Sequence, residues 1–479
     1  MKKYKQYKAV DELWCSALPA HWGFLRLKRV LQERKERNNP IKTDYILSLT
    51  AKQGVVPHAE KEGAGGNKPK NDLTKYNIAH SGDLLVNCMN VVSGAAGVSR
   101  WDGAISPVYY ALYPRNEETN IWYYHYLFRL QPFQRSLLGL GKGILMHESD
   151  EGVLTSVRMR ISMDYLGNVM LPIPSRDEQD QIVRYLNWQI SKYTRTIKLK
   201  HGQIMLLKEQ RRAVIDKGIL HGFSASDYKE SNVYWLDRVP ATWEVMPLKR
   251  ICKINASISN TIKEMADTDI VTFLPMENVS TTGDIDCSIK KPLSTVRTGF
   301  SSFAKDDVVV AKITPCFENG KGACLDNLDT DIGFGTTEFI NLRPSDRILP
   351  QYLYMITMTQ PFRKLGEEIM TGSAGQKRIS ADYIKNFTIG IPDINEQEQI
   401  LAEIEHRLKK IDNLLRIEKE NIDILQELRT RVISDVISGQ IDVRGLEIPV
   451  FDGIDVAEGD GFDDDDEIDE GTGDEDEEV

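Results

Sequence analysis

Ile161-Ser-Met-Asp-Tyr-Leu-Gly-Asn-Val-Met-Leu-Pro-Ile-Pro-Ser-Arg-Asp-Glu-Gln-Asp-Gln-Ile182 returns 218 residues later as Ile379-Ser-Ala-Asp-Tyr-Ile-Lys-Asn-Phe-Thr-Ile-Gly-Ile-Pro-Asp-Ile-Asn-Glu-Gln-Glu-Gln-Ile400. Eleven of the 22 positions are identical without a gap. Solenoid units recur every few tens of residues, so a period this long is a duplicated module. A duplicated module points to one activity performed at two places.

Each copy ends by opening a helix. Pro174 is followed by Ser175-Arg-Asp-Glu178, and Pro392 by Asp393-Ile-Asn-Glu396. An oxygen-bearing N-cap with Glu three residues on reads as a capping box, and the acidic first turn suits the positive helix end. The helices then run to Gly218 or Gly222 and to Gly439. Their apolar positions follow a heptad, and the two stripes match at an offset of 218. The first stripe holds Leu186, Ile190, Ile197, Ile204 and Leu207, and the second Ile404, Leu408, Ile411, Leu415, Ile422 and Leu425. Matched stripes favour two helices packed on each other as a coiled coil. At ~1.5 Å per residue each helix is a rod of roughly 60 Å. A pseudo-two-fold relation between equal halves makes the pair antiparallel. It brings Lys200 and Glu418, which interrupt both stripes at the same place, face to face as an ion pair.

The repeat also opens each half. Trp14, Pro19-Ala20, Trp22 and Leu27-Lys-Arg29 recur at an offset of 221 as Trp235, Pro240-Ala241, Trp243 and Leu248-Lys-Arg250. Between these ends lie interiors of nearly equal length and mostly different sequence. Gly82-Asp83-Leu-Leu-Val86 parallels Asp306-Asp307-Val-Val-Val310, and both read as strands. Residues 122–130 and 351–358 read as short helices. The fold expected is mixed α/β, of the α+β class, with two globular domains separated by two long antiparallel coiled-coil helices. The boundaries are 1–174 (first domain), 175–222 (first helix), 223–392 (second domain), 393–445 (second helix) and 446–479 (an acidic tail without fixed structure).

The 479 residues carry a formal charge of −11, and that figure is dominated by one end. Residues 451–479 hold sixteen Asp and Glu and no Lys or Arg, which leaves 55 acids against 60 bases in the rest. A mildly basic body permits nucleic-acid binding. No apolar run reaches the ~18 residues of a membrane span, and no apolar stretch follows the basic start Met1-Lys-Lys-Tyr4 as a signal peptide requires. Six scattered cysteines without a Cys-x-x-Cys fit a reducing cytoplasm.

No glycine-rich nucleotide loop, no Asn-Pro-Pro-aromatic segment and no paired metal-ligand spacing of histidines is present. What remains is a set of polar and basic candidates for DNA contact. In the second half these are Lys312 and Lys321 around the segment Ile313–Gly320, and Gln376, Lys377 and Arg378 after a Gly-Ser-Ala-Gly run. In the first half they are Arg160, which aligns with Arg378, its neighbour Arg158, and Lys142 between two glycines. Gln, Lys and Arg are among the side chains that read base edges, and glycines let backbone amides approach phosphates. Cys88 aligns with Lys312, so the halves differ in charge there. Gly63-Ala-Gly-Gly-Asn-Lys-Pro-Lys70 reads as a mobile loop.

This layout resembles the specificity subunit of type I DNA restriction–modification enzymes. The resemblance rests on Pro-x-x-x-Glu-Gln-x-x-Ile at 174–182 and 392–400, on Gly82–Asn90 with Gly103-Ala-Ile-Ser-Pro107, and on Ile313-Thr-Pro-Cys-Phe-Glu-Asn-Gly-Lys321. It covers about residues 1–445. Cys88 departs from it, since family members often have Lys there, and the acidic tail lies outside it. The resemblance implies a non-catalytic subunit in which each domain reads one half of a bipartite, asymmetric site in double-stranded DNA. It further implies docking of two methyltransferase subunits and of restriction/translocase subunits. S-adenosylmethionine, ATP and Mg then belong to those partners, with no cofactor or metal in this chain and no membrane contact. Two alternatives stay open from the residues alone: a self-contained DNA methyltransferase or nuclease with unrecognised motifs, and a coiled-coil scaffold without DNA specificity.

Overall fold

Leu84–Asn87 and Val308–Ala311 are buried at every position, and their place at the centre of a sheet explains it. Side chains alternate across a strand, so a strand covered on both faces reads as a continuous apolar run. Val308 and Val310 join the core shared with helices, while Val309 and Ala311 join a second core on the other face. Leu84, Val86 and Leu85 divide in the same way. The chain is seen here as a computed structural model that describes residues 2–450 except 52, 62–71, 142–146, 149–153, 156–159 and 373–375. The Gly63–Lys70 loop, Lys142, Arg158 and the tail from residue 451 lie outside the described residues.

The two interiors share a strand order that their sequences conceal. In the first domain an antiparallel sheet runs Leu31–Glu33, Tyr109–Pro114, Leu84–Asn87, Ala96–Val98. In the second it runs Cys252–Ile254, Phe339–Pro344, Val308–Ala311, Gly322–Cys324. Each domain adds a four-stranded sheet with one parallel pair, Ile46–Thr50 with Gly103–Ile105 and Ile270–Leu274 with Ile332–Gly335. The short helices expected beside them are Ile121–Phe128 and Pro350–Met358.

The long helices span Arg176–His221 and Ile394–Ile437. Compactness divides the chain inside them: one unit holds the described residues up to 201 and from 420, the other residues 202–419. In the first unit Ile182, Leu186 and Ile190 pack in one core with Val432, Val436 and Ile437. In the second, Ile215, Ile219 and Leu220 pack with Ile400, Ile404 and Leu408. In each unit, then, the start of one helix meets the end of the other, which is antiparallel order. Leu186, Ile190, Ile197, Ile204, Ile404, Leu408, Ile411 and Ile422 are buried, whereas Leu207, Leu415 and Leu425 are half-buried. Lys200 falls in the first unit and Glu418 in the second.

The repeated Glu-Gln pair fastens each domain to its helix. Gln179 Oε1 accepts from the Asn120 amide at 2.8 Å, and its Nε2 donates to the Pro174 and Glu118 carbonyls at 2.9 and 3.1 Å. Gln397 does the same with the Leu349 amide (2.9 Å) and the Pro392 and Arg347 carbonyls (both 3.0 Å). The neighbouring glutamates turn outward from the capping box. Glu178 accepts from the Tyr4 hydroxyl at 2.6 Å and faces His21 at 2.9 Å, and Glu396 accepts from Trp243 Nε1 at 3.0 Å. The Asp393 carboxylate caps the Glu396 amide as expected, but both glutamates serve as anchors for the aromatic segments that open each half. Tyr123 and Tyr352 complete the frame by donating to the carbonyls of Ile437 and Ile219, near the far end of the opposite helix in each unit.

Candidate nucleic-acid interface

The strand Val308–Ala311 delivers Lys312 to the edge of the second domain, where its backbone is held from both sides. Its amide donates to the Glu338 carbonyl at 2.8 Å, and its carbonyl accepts from the Ile379 amide at 2.9 Å. The next residues fold back as a turn, with Phe317 buried beneath and the Ala311 amide bonded to the Lys321 carbonyl at 3.0 Å. Lys312 and Lys321 therefore stand on neighbouring chain ends. Burial raises the Cys316 thiol, and the nearby Lys321 ammonium pulls it the other way.

The second loop joins the first through main-chain bonds. The Thr314 amide donates to the Lys377 carbonyl at 3.0 Å, and Ile313 bridges Arg378. Arg378 also exchanges amide bonds with Thr371 at 2.8 and 3.1 Å, closing the loop. Gln376 and Lys377 are exposed on it. Lys312, Lys321, Gln376, Lys377 and Arg378 are thus gathered in one place. Arg378 is also engaged with Glu338: Nε lies 3.0 and 3.2 Å from the two carboxylate oxygens, and Nη2 lies 3.0 Å from Oε1.

The first domain builds the same frame with different side chains. The Cys88 amide donates to the Val108 carbonyl at 3.0 Å, and its carbonyl accepts from the Ile161 amide at 2.9 Å. Cys88 thus stands where Lys312 stands, Val108 where Glu338 stands and Arg160 where Arg378 stands. Cys88 is buried, and burial raises its thiol against the opposing charge and hydrogen bond of Arg160. Arg160 is exposed, and the Tyr110 hydroxyl beside it donates to the Ile161 carbonyl at 3.1 Å.

Two acidic residues of the repeat are engaged structurally. Asp307 binds Arg343 through two bonds of 2.8 Å, the Asn341 amide group at 2.9 Å and the Ala304 amide at 2.8 Å. Asp83 binds Arg34 at 2.7 and 2.9 Å and the His80 amide at 2.8 Å. Both carboxylates are buried and spent on fixing the turn before the central strand, which makes them scaffold.

Two residues beneath and beside the site had no expectation attached. Arg363 is buried under the Ile313–Gly320 turn, donates to the Phe317 carbonyl at 2.7 Å and lies 4.8 Å from the Phe317 ring centroid. Gln-Pro-Phe at 131–133 recurs at 360–362, and the residue after it is Gln134 or Arg363, so a search for short repeats finds that position. Glu338 carries no such signal, because Val108 occupies its place in the other copy.

Residues 240–427 match the protein family described as "Type I restriction modification DNA specificity domain". The chain is 37% identical over 205 residues to the "Type I restriction enzyme EcoAI specificity subunit" of Escherichia coli, covering 42% of this chain and 34% of that protein. It is 34% identical over 205 residues to the EcoEI specificity subunit of the same organism, with the same shares of 42% and 34%. These matches span about a third of the length of those two relatives. The MjaVIII specificity subunit of Methanocaldococcus jannaschii is 25% identical over 298 residues, 58% of this chain and 64% of that one. Among solved structures, a chain from "Structural basis underlying complex assembly and conformational transition of the type I R-M system" superposes with a TM-score of 0.60. It shares 13% identity over 88% of this chain and 99% of its own, a likeness of fold. Through residues 240–427 the chain is thus similar to the type I restriction modification DNA specificity domain, and beyond them the likeness is one of fold.

Proposed function

We propose that this chain is the non-catalytic, sequence-recognising subunit of a cytoplasmic type I restriction–modification complex. Each domain reads one half of a bipartite DNA site. One observation carries the reading: the same backbone frame in two domains offers Lys312, Glu338 and Arg378 in one and Cys88, Val108 and Arg160 in the other. A common frame suits a common ligand, and different side chains on it suit different base sequences. The two half-sites therefore differ.

The partners follow from what the helices leave uncovered. Leu199 and Leu206 are 64% and 66% exposed, and their repeat equivalents Ile417 and Ile424 are 42% and 54% exposed. Exposed apolar side chains on each helix suit contact with a protein partner. Two methyltransferase subunits are the proposed occupants, with translocase–nuclease subunits completing the complex. S-adenosylmethionine, ATP and Mg act on those partners.

The test is to co-express the chain with its methyltransferase subunit and map methylated adenines genome-wide. A split motif with a fixed gap is expected. Lys377→Ala is expected to relax one half-site and leave the other intact. Equal loss at both half-sites would refute the assignment of one half-site per domain.

A further inference from the structure

Arg378 has five N–H donors. Glu338 engages those on Nε and Nη2, and the Gln376 carbonyl takes one on Nη1 at 3.3 Å. Among the described residues one N–H on each terminal nitrogen has no partner, on a guanidinium whose plane is fixed by a carboxylate. The side chain of Arg378 is 42% exposed and that of Glu338 is 23% exposed, so the pair is open to a ligand from solvent.

Two physical consequences separate this pair from an ordinary surface ion pair. Exposed pairs contribute only ~0–1 kcal/mol to stability, so fold maintenance is a weak reason for it. Pairing also cancels most of the charge of Arg378, and a neutralised arginine is a poor phosphate clamp, since phosphate affinity follows net positive charge. It remains a good reader of a base edge, because that task needs donors held in a defined plane. In the first domain Val108 stands where this carboxylate would be, so the same pairing is not available to Arg160.

We infer that Glu338 is a positioning residue for DNA recognition by the second domain: it holds Arg378 for base-edge readout and withholds it from the phosphate backbone. The inference rests on the proposed function and names how one half-site is read.

The experiment uses the full chain co-expressed with its methyltransferase subunit, carrying Glu338→Gln, Glu338→Val (which copies Val108) or Glu338→Asp. Methylated motifs are mapped, and binding of the assembled complex to cognate and unrelated duplexes is measured against salt. For Gln and Val, discrimination at one or more positions of a single half-site is expected to fall about tenfold. Binding to unrelated DNA is expected to rise, with a salt slope steeper by about 0.9, as one phosphate contact is gained. Glu338→Asp is expected to restore most of the discrimination. The first half-site serves as the internal control, and assembled, methylating complexes show that the variants fold. An unchanged motif with an unchanged salt slope would overturn the inference, as would equal relaxation of both half-sites. A wild-type complex without any split motif would instead overturn the proposed function, and this inference with it.

Discussion

Gln179 and Gln397 are single side chains that each fasten a domain to its helix, and both are fully buried. Removing one leaves a main-chain amide and two carbonyls without their partner, and an orphaned buried donor costs ~1–3 kcal/mol. Gln397→Ala is therefore expected to cost about 2–4 kcal/mol, felt locally first. Hydrogen exchange at the Leu349 amide and the first turn of Pro350–Met358 should accelerate, while Ile121–Phe128 in the first unit should be unaffected. No change at Leu349 would remove the clamp from the account. His125 gives the first domain a pH dependence. It is buried on Ile121–Phe128 between Trp122 and Tyr126, and burial depresses its pKa from about 6.5 to about 3. In that window the unfolded chain binds a proton that the folded chain refuses, so the neutral ring's contribution is complete above pH 6.5 and declines as pH falls. Between pH 6.5 and 5, before ordinary carboxylates titrate, stability of the first unit should fall by at most ~1.4 kcal/mol per pH unit. His125→Phe should flatten that slope in urea melts across this range. A slope that survives the substitution belongs to another group.

At the scale of elements, each long helix ends on a left-handed glycine, Gly222 at φ +67° and Gly439 at φ +71°. The same two glycines differ in surroundings. A Cβ on Gly222 would lie 3.3 Å from the Trp243 ring, whereas one on Gly439 would lie 2.5 Å from Pro19 and 3.0 Å from Trp22. The backbone penalty alone is ~1–2 kcal/mol. Gly222→Ala should therefore cost about that much, and Gly439→Ala clearly more, because the proline ring cannot yield as a flexible side chain does. Thermal melts of the two variants should separate by several degrees, and equal melting would mean that the close contact at Gly439 relaxes freely. What was legible at this scale follows from range. The heptads, the short helices, the helix-ending glycines and the two strands depend on neighbours in sequence, and they could be read from Leu186, Val308 or Gly439 directly. The common strand order of the interiors, the diversion of Glu178 and Glu396 to aromatic anchors and the pairing of Glu338 with Arg378 join residues 40 or more apart, where no local pattern records the partner. Cys88 and Lys312 could be aligned, but that Val108 and Glu338 complete their frames emerges only once the backbone bonds are known.

For the molecule as a whole the duplication sets what both halves do, and the charge distribution sets how strongly they do it. The residues kept in both copies, Trp22 with Trp243 and Gln179 with Gln397, fasten domains to helices, so the retained sequence is architecture. The residues that changed on the retained frame are the proposed readers of DNA. Over this arrangement lies the charge imbalance of the chain, whose net −11 hides a body of about +5 and sixteen acids in the last 29 residues. A body of +5 attracts a polyanion, and we propose that the covalently attached segment bearing sixteen negative charges competes with it. Coulombic competition weakens with salt, since the screening length falls from ~30 Å at 0.01 M to ~8 Å at 0.15 M. Truncation after Val450 should therefore raise affinity for DNA most at low salt, and cognate and unrelated duplexes should gain alike, because charge carries no sequence information. The difference between full and truncated chains should shrink as salt approaches 0.2 M. Titrations of both proteins at 0.05 and 0.2 M salt decide it: equal affinities at 0.05 M would leave the tail no part in DNA binding, and a gain confined to cognate DNA would point to a specific contact in place of charge competition.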